Sequence, residues 1–175
     1  MTASTDIRPT DPADLPGLMA LYARAFPEED LTGTLIALLA GDWPVMSLVA
    51  APSSRIFGHI LFTRCGTGQG DRDGTLLAPL AVDPEHQGRG IGTALVQDAF
   101  SRLTADGVRQ VFVLGDPGYY ARFGFAAEDR VVPPYPLPSE WAAAWQSRCL
   151  EGAAALGDGP LHLPAPWCDP LLWRP

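Results

Sequence analysis

Lysine is absent from the chain, so every basic side chain among its 12 Lys and Arg residues is an arginine. Charge of either sign is scarce, at 18% of residues, while 47% are hydrophobic. That balance excludes a disordered chain and supplies enough apolar surface for a core. Acidic residues outnumber basic ones, 20 to 12, for a formal net charge of -8. An acidic surface repels phosphate backbones, which excludes nucleic acid as the main partner but not a cationic amine. The same charge also serves solubility. Cysteine is scarce too: Cys65, Cys149 and Cys168 are odd in number and widely spaced. Neither a disulfide framework nor a zinc cluster is suggested, so free thiols and no metal are expected. No stretch approaches a membrane span, and MTASTDIRPTDPADL at the N-terminus holds no apolar run fit for a signal peptide. A cytoplasmic protein with no membrane partner is expected. Two nucleotide signatures are also missing. No Gly-Lys-Ser/Thr follows the glycine turn, and Thr93 stands where Gly-x-Gly-x-x-Gly needs its last glycine.

What is present reads as one domain over 1–175, with a core over 1–130 and a tail of strands and irregular chain over 131–175. Asp11-Pro12 has the form of a helix start, and Leu15, Leu18, Met19, Leu21, Tyr22, Ala25 and Phe26 recur at helical spacing up to Pro27. Leu31 to Ala40 reads as a second helix closed by Gly41. Ser47–Ala51 and Arg55–Thr63 read as a strand hairpin around Pro52-Ser53-Ser54. Thr75–Val82 is a third apolar strand; Pro79 inside it requires an edge position or a bulge. From Gly90 to Ala105, Ile91, Leu95, Ala99 and Leu103 step by four, with Val96 and Phe100 widening the stripe, and Gly107 stops the helix. Gln110–Leu114 is a buried strand, which turns through Gly115–Gly118 into a short helical piece carrying Tyr119 and Tyr120. Thr75–Leu114 is therefore a strand–helix–strand unit, which implies a partly parallel sheet. Trp141–Leu150 is alanine-rich, which favours helix by propensity. Trp167 and Trp173 are expected to pack back on the body.

The segment with the most chemistry is Leu80-Ala81-Val82-Asp83-Pro84-Glu85-His86-Gln87-Gly88-Arg89-Gly90-Ile91-Gly92-Thr93. A buried strand runs into a glycine turn that opens a helix. The first helical turn has unpaired N–H groups at the positive end of the dipole. Glycines at 88, 90 and 92 let a phosphate approach that backbone, and Arg89 adds a charge-assisted contact. A tight turn that needs glycine only for its dihedrals has the same composition. Glu28, Glu29, Asp30, His59 and Glu85 are candidate bases for deprotonating an amine, and no spacing singles one out.

The motif Gln87-x-x-Gly90-x-Gly92 resembles the Gln/Arg-x-x-Gly-x-Gly/Ala motif of the GNAT superfamily of acetyltransferases, after a Leu80-Ala81-Val82 strand like the family's. Tyr119-Tyr120-Ala121-Arg122-Phe123-Gly124-Phe125 is similar to the family's Tyr-x-x-x-Gly-Phe segment, and the stretch from Leu114 resembles a YhbS-like bacterial subgroup. The resemblance runs from Ile7 to about Phe125. It implies an α/β GNAT fold: a mixed, mostly antiparallel sheet of six or seven strands, helices on both faces and a splayed parallel strand pair. It implies acetyl-CoA as co-substrate, with Leu80, Ala81 and Val82 along the pantetheine arm and Gln87, Gly88, Arg89, Gly90, Ile91, Gly92 and Thr93 around the pyrophosphate. It implies Tyr120 as the acid that protonates the leaving thiolate, with Tyr119 in packing or cofactor contact. Asp116 stands where many members carry an asparagine that touches CoA. In the subgroup the tail continues as strands, so Trp141–Leu150 is expected to be one. The implied activity is direct acetyl transfer to a primary amine on a small molecule or peptide; a non-catalytic acyl-CoA-binding module is the alternative. A homodimer is compatible with the sequence.

Overall fold

Asp11 begins the first helical segment by accepting a hydrogen bond from the Ala13 amide at 2.9 Å, while the Asp14 carboxylate accepts one from the Asp11 amide at 2.7 Å. This reciprocal cap opens a single 3-10 turn, Pro12–Asp14, that leads into α1, Leu15–Ala25. The computed structural model describes residues 5–174. Two compact units are found, Met1–Phe62 with Pro79–Arg102 and Thr63–Ala78 with Leu103–Pro175.

In the first unit, β1 (Ile7–Pro9) pairs antiparallel with β2 (Val45–Ala50), with Arg8 opposite Val49. Helix α1 buries Leu18, Leu21 and Tyr22, and α2 (Thr32–Ala40) buries Leu35 and Leu38. Gly41 ends α2 in an extended conformation rather than the left-handed one expected of a glycine cap. A side chain there would press on the Ala37 carbonyl oxygen at 2.9 Å. The second hairpin strand, β3 (Gly58–Cys65), begins later than the apolar run suggested. The Phe57 amide already donates to the Ala50 carbonyl, closing the hairpin before the ladder starts. Helix α3 (Ile91–Ala105) buries Ile91, Leu95, Ala99 and Leu103 at the spacing of four, with Val96 beside them. Each such leucine or isoleucine contributes about 1.5–3 kcal/mol by leaving water.

In the second unit, β5 (Gln110–Leu114) pairs parallel with the start of β4 (Gly74–Val82), Gly74 opposite Gln110 and Leu76 opposite Phe112. The short helix α4 (Pro117–Tyr120) and strand β6 (Ala126–Ala127) follow, then β7 (Val131–Val132). Trp141–Leu150 is not one strand. Its alanines lie in a 3-10 helix, Ser139–Ala144, and only Trp145–Cys149 forms β8. Alanine keeps its helical preference up to Trp145, where burial takes over. Trp145 stacks near Phe112 and its indole N–H donates to the Val131 carbonyl at 2.8 Å. β8 pairs antiparallel with all of β5, from Gln110–Cys149 to Leu114–Trp145, and with β6. A two-residue strand, β9 (Gly159–Pro160), pairs parallel with β7. Trp167 and Trp173 are buried, their indole N–H groups bound to the Thr63 hydroxyl and the Trp167 carbonyl.

The strands form one mixed sheet in the order β1-β2-β3-β4-β5-β8-β6, mostly antiparallel with one parallel pair. β4 lies between β3 and β5, so Pro79 is not on an edge strand. The ladder from β4 to β5 ends at Leu76, three residues before the proline. No β5 partner is paired with Pro79, so its missing N–H breaks no bond of that ladder. Among the described residues, no helix is long and apolar enough to cross a membrane, and all three cysteines are free.

Candidate functional site

Strand β4 carries Leu80, Ala81 and Val82 to the edge of a turn whose every step has a physical cause. Asp83 follows, and its carboxylate accepts from the Glu85 amide at 3.1 Å, capping a single 3-10 turn, Pro84–His86. Gln87 then folds its side-chain amide back onto the Val82 carbonyl at 3.3 Å. Gly88 and Gly90 sit at φ of +72° and +82°, where a side chain is strained by roughly 1–2 kcal/mol. The space beside both is open, so backbone conformation and not crowding requires glycine there. Helix α3 starts at once, its first internal bond running from the Ala94 amide to the Gly90 carbonyl at 2.9 Å. The amides of Ile91, Gly92 and Thr93 precede that bond and lie at the positive end of a 15-residue helix. Ile91 is buried, so it offers a ligand only its backbone. Arg89 is exposed and has no hydrogen bond or ion pair among the described residues. The turn has the donors, the charge and the open glycine backbone that a diphosphate requires.

A cluster unforeseen from the sequence stands behind this turn. The Asp83 side chain is fully buried, yet its Oδ2 accepts from Arg24 at 3.0 Å and from Arg55 at 2.8 Å. Burial alone would raise the Asp83 carboxyl. The hydrogen bonds from Arg55 and the Glu85 amide, with the charge of Arg24, outweigh it and hold the carboxyl at about 2. Glu85 lies 3.5 Å from Arg55, and His86 stacks on Phe57 with ring centres 4.0 Å apart. Arg24 and Arg55 are remote from Asp83 in sequence, and no local pattern marks their convergence. The Asp-Pro pair at 83–84 is a local signal for the cap, of the kind seen at Asp11-Pro12, and it says nothing of the arginines.

Tyr120 belongs to the second unit. Helix α4 is capped by Asp116, which accepts from the Gly118 amide at 2.9 Å. Asp116 is thus committed to the helix start. The Tyr120 ring meets Tyr119 edge-on at 5.0 Å and Phe125 at 5.6 Å. Its hydroxyl has no hydrogen-bond partner among the described residues. Burial pushes its phenol well above the usual tyrosine value. Tyr119 instead carries the Arg122 guanidinium over its ring at 4.5 Å, a cation–π contact at a half-buried site.

The candidate bases separate clearly. His59 is wholly buried, with Nδ1 2.7 Å from the Tyr22 hydroxyl and Nε2 2.7 Å from the Ser47 hydroxyl. Ser47 continues the chain to Thr10 at 2.6 Å. Burial depresses His59 to about 3, with Asp14 a partial offset, so it is a neutral core histidine. Glu28, Glu29, Asp30 and Glu85 are exposed. Asp30 accepts from the Thr32 amide at the start of α2.

Comparison with known proteins gives the family. Residues 15–125 match the acetyltransferase (GNAT) family, and the chain belongs to that family. YjhQ of Escherichia coli K12, described as an uncharacterized N-acetyltransferase, is 41% identical over 150 residues, covering 81% of this chain and 82% of its own. Among solved structures, the GNAT-family N-acetyltransferase YhbS of Escherichia coli in complex with CoA has a TM-score of 0.81 at 26% identity, covering 94% of this chain and 92% of its own. A GNAT-family acetyltransferase of Brucella melitensis in complex with acetyl-CoA has a TM-score of 0.74 at 28% identity, covering 93% and 97%.

Proposed function

We propose that the protein is an acetyl-CoA-dependent N-acetyltransferase that passes the acetyl group directly to a primary amine within a ternary complex. The observation that carries this reading is the Gln87–Gly92 turn, with two left-handed glycines, an arginine that has no partner among the described residues and a helix start behind it. Acetyl-CoA supplies the acyl group as a thioester. The amides from Gly88 to Thr93 and the Arg89 guanidinium hold the pyrophosphate. The backbone of Leu80–Val82 receives the pantetheine arm, which the early end of the β4–β5 ladder supports. Backbone N–H groups near Val82 act as oxyanion donors. Tyr120 gives its proton to the thiolate as the C–S bond breaks, and the proton that the amine nitrogen loses on forming the C–N bond passes to solvent; the raised pKa of Tyr120 keeps its proton in place at neutral pH, and its hydroxyl has no competing partner among the described residues. The acceptor is an amine on a small molecule or peptide.

The test is acetyl-CoA binding by thermal shift, then release of free thiol in the presence of a panel of amines. Saturating acetyl-CoA at a hundredfold excess over Kd stabilises the native state by about 2.7 kcal/mol. Gly90→Glu places a bulky negative charge on the phosphate path and is expected to abolish binding in a folded protein, checked by calorimetry and circular dichroism. Undiminished affinity in that variant would move the cofactor elsewhere. Binding without thiol release to any amine would favour a non-catalytic CoA-binding module.

A further inference from the structure

The Gln87–Gly90 turn is exposed, and its two left-handed glycines have no side chains to pack. Such a backbone loses much conformational freedom when ordered. Something outside it must set its direction. Asp83, four residues before Gln87, makes the required contacts. Its carboxylate joins the last turn of α1 through Arg24 at 3.0 Å and the segment between β2 and β3 through Arg55 at 2.8 Å. Its amide donates to the Phe57 carbonyl at 2.8 Å, and its carbonyl accepts from the His86 amide at 2.8 Å. The Phe57–His86 stack closes the same bracket from the side. Three segments distant in sequence therefore meet on one buried carboxylate, immediately before the glycine turn.

We propose that Asp83 is a positioning residue for the pyrophosphate turn, held by Arg24 and Arg55 so that the amides from Gly88 to Thr93 are ordered before the cofactor arrives. The proposal rests on the cofactor reading above. Preorganisation raises affinity by removing an ordering cost from the binding step. It also opposes plain electrostatics. A carboxylate beside a diphosphate site repels the ligand, and neutralising it would by charge alone strengthen binding. The two roles thus predict opposite signs for one substitution.

Asp83→Asn keeps an oxygen to cap Glu85 and removes the charge that holds both guanidiniums. Calorimetric titration with CoA is expected to show affinity lowered about tenfold in D83N, with native circular dichroism and cooperative unfolding retained. R24Q with R55Q should lose a similar factor, and joining D83N to that pair should add little, because all three act through one contact. R55K should recover most of the loss of R55Q by restoring the charge. Unchanged or tighter CoA binding in D83N would overturn the proposal. Arg24 and Arg55 are 39% and 49% exposed, so their variants carry the test if D83N does not fold, read at high salt, where a loss through charge alone is screened and a positioning loss persists. Wild-type affinity in R24Q with R55Q would overturn it equally. Failure of the wild-type protein to bind CoA would instead strike at the cofactor reading, and the positioning role would fall with it.

Discussion

The Tyr120 ring lies directly over the α-carbon of Gly115, so close that a methyl group at 115 would overlap its Cε2 atom. Gly115 is the first residue after β5, and its amide is held by the Ala144 carbonyl at 2.9 Å. The strand end therefore forms the floor on which the phenol rests. Gly115→Ala is expected to push the ring from its seat and lower kcat at least tenfold, with a smaller effect on the KM for acetyl-CoA. Tyr120→Phe keeps the ring and removes the proton donor, and should cost on the order of 10² to 10⁴ in turnover. Tyr119→Phe, whose ring serves Arg122, should be milder. Steady-state kinetics on an accepted amine measures all three. Wild-type turnover in Tyr120→Phe from pH 6 to 9 would assign the acid role to another group.

Burial raises the Tyr120 phenol above its ordinary value of 10.0. An acid of raised pKa keeps its proton longer as pH rises, so Tyr120 stays protonated through pH 10. No descending limb belonging to this residue is expected in the kcat profile between pH 8 and 10. A limb near pH 9 that disappears in Tyr120→Phe would contradict the burial observed.

His59 links stability to pH in the opposite range. Its folded pKa of about 3 lies below the ordinary 6.5, so the unfolded chain binds the extra proton first. Stability is then complete above pH 6.5 and falls as the pH drops from there towards 3. The slope is one proton, about 1.4 kcal/mol per pH unit, or about 2 kcal/mol lost by pH 5. Urea unfolding at pH 7, 6 and 5 measures it. His59→Gln should be less stable at pH 7, because Tyr22 and Ser47 lose a partner, but its dependence on pH in this window should flatten. An unchanged slope would show that other groups carry the acid sensitivity.

The three thiols should react at two rates. Cys149 and Cys168 are exposed, whereas Cys65 is buried at the end of β3 and burial raises its thiol pKa. Thiolate is the reactive form, so both access and ionisation protect Cys65. Titration of the native protein with a chromogenic disulfide is expected to give two rapid equivalents, with the third released on unfolding. Three rapid equivalents would mean that β3 opens readily at Cys65.

Local sequence determined the elements whose causes are themselves local. The Asp11-Pro12 start of the first helical segment, the apolar stripe of α3 and its stop at Gly107 depend on residues within a turn or two of one another. So does the glycine turn at 88 and 90, whose dihedrals L side chains resist. That turn, with Gln87, the Leu80–Val82 strand before it and the Tyr119–Phe125 segment, carried the family resemblance and the site candidates. Tertiary structure decided what depends on burial against remote partners. Trp145–Cys149 became a strand beside an alanine-rich 3-10 helix because β5 offered a ladder and Phe112 a stacking partner. His59 became a closed core residue because Tyr22 and Ser47 occupy both its nitrogens. Asp83 gained two arginines from segments 28 and 59 positions away. Periodicity and spacing carry no record of such encounters, because the energy of a buried polar group depends on which distant partner desolvates with it.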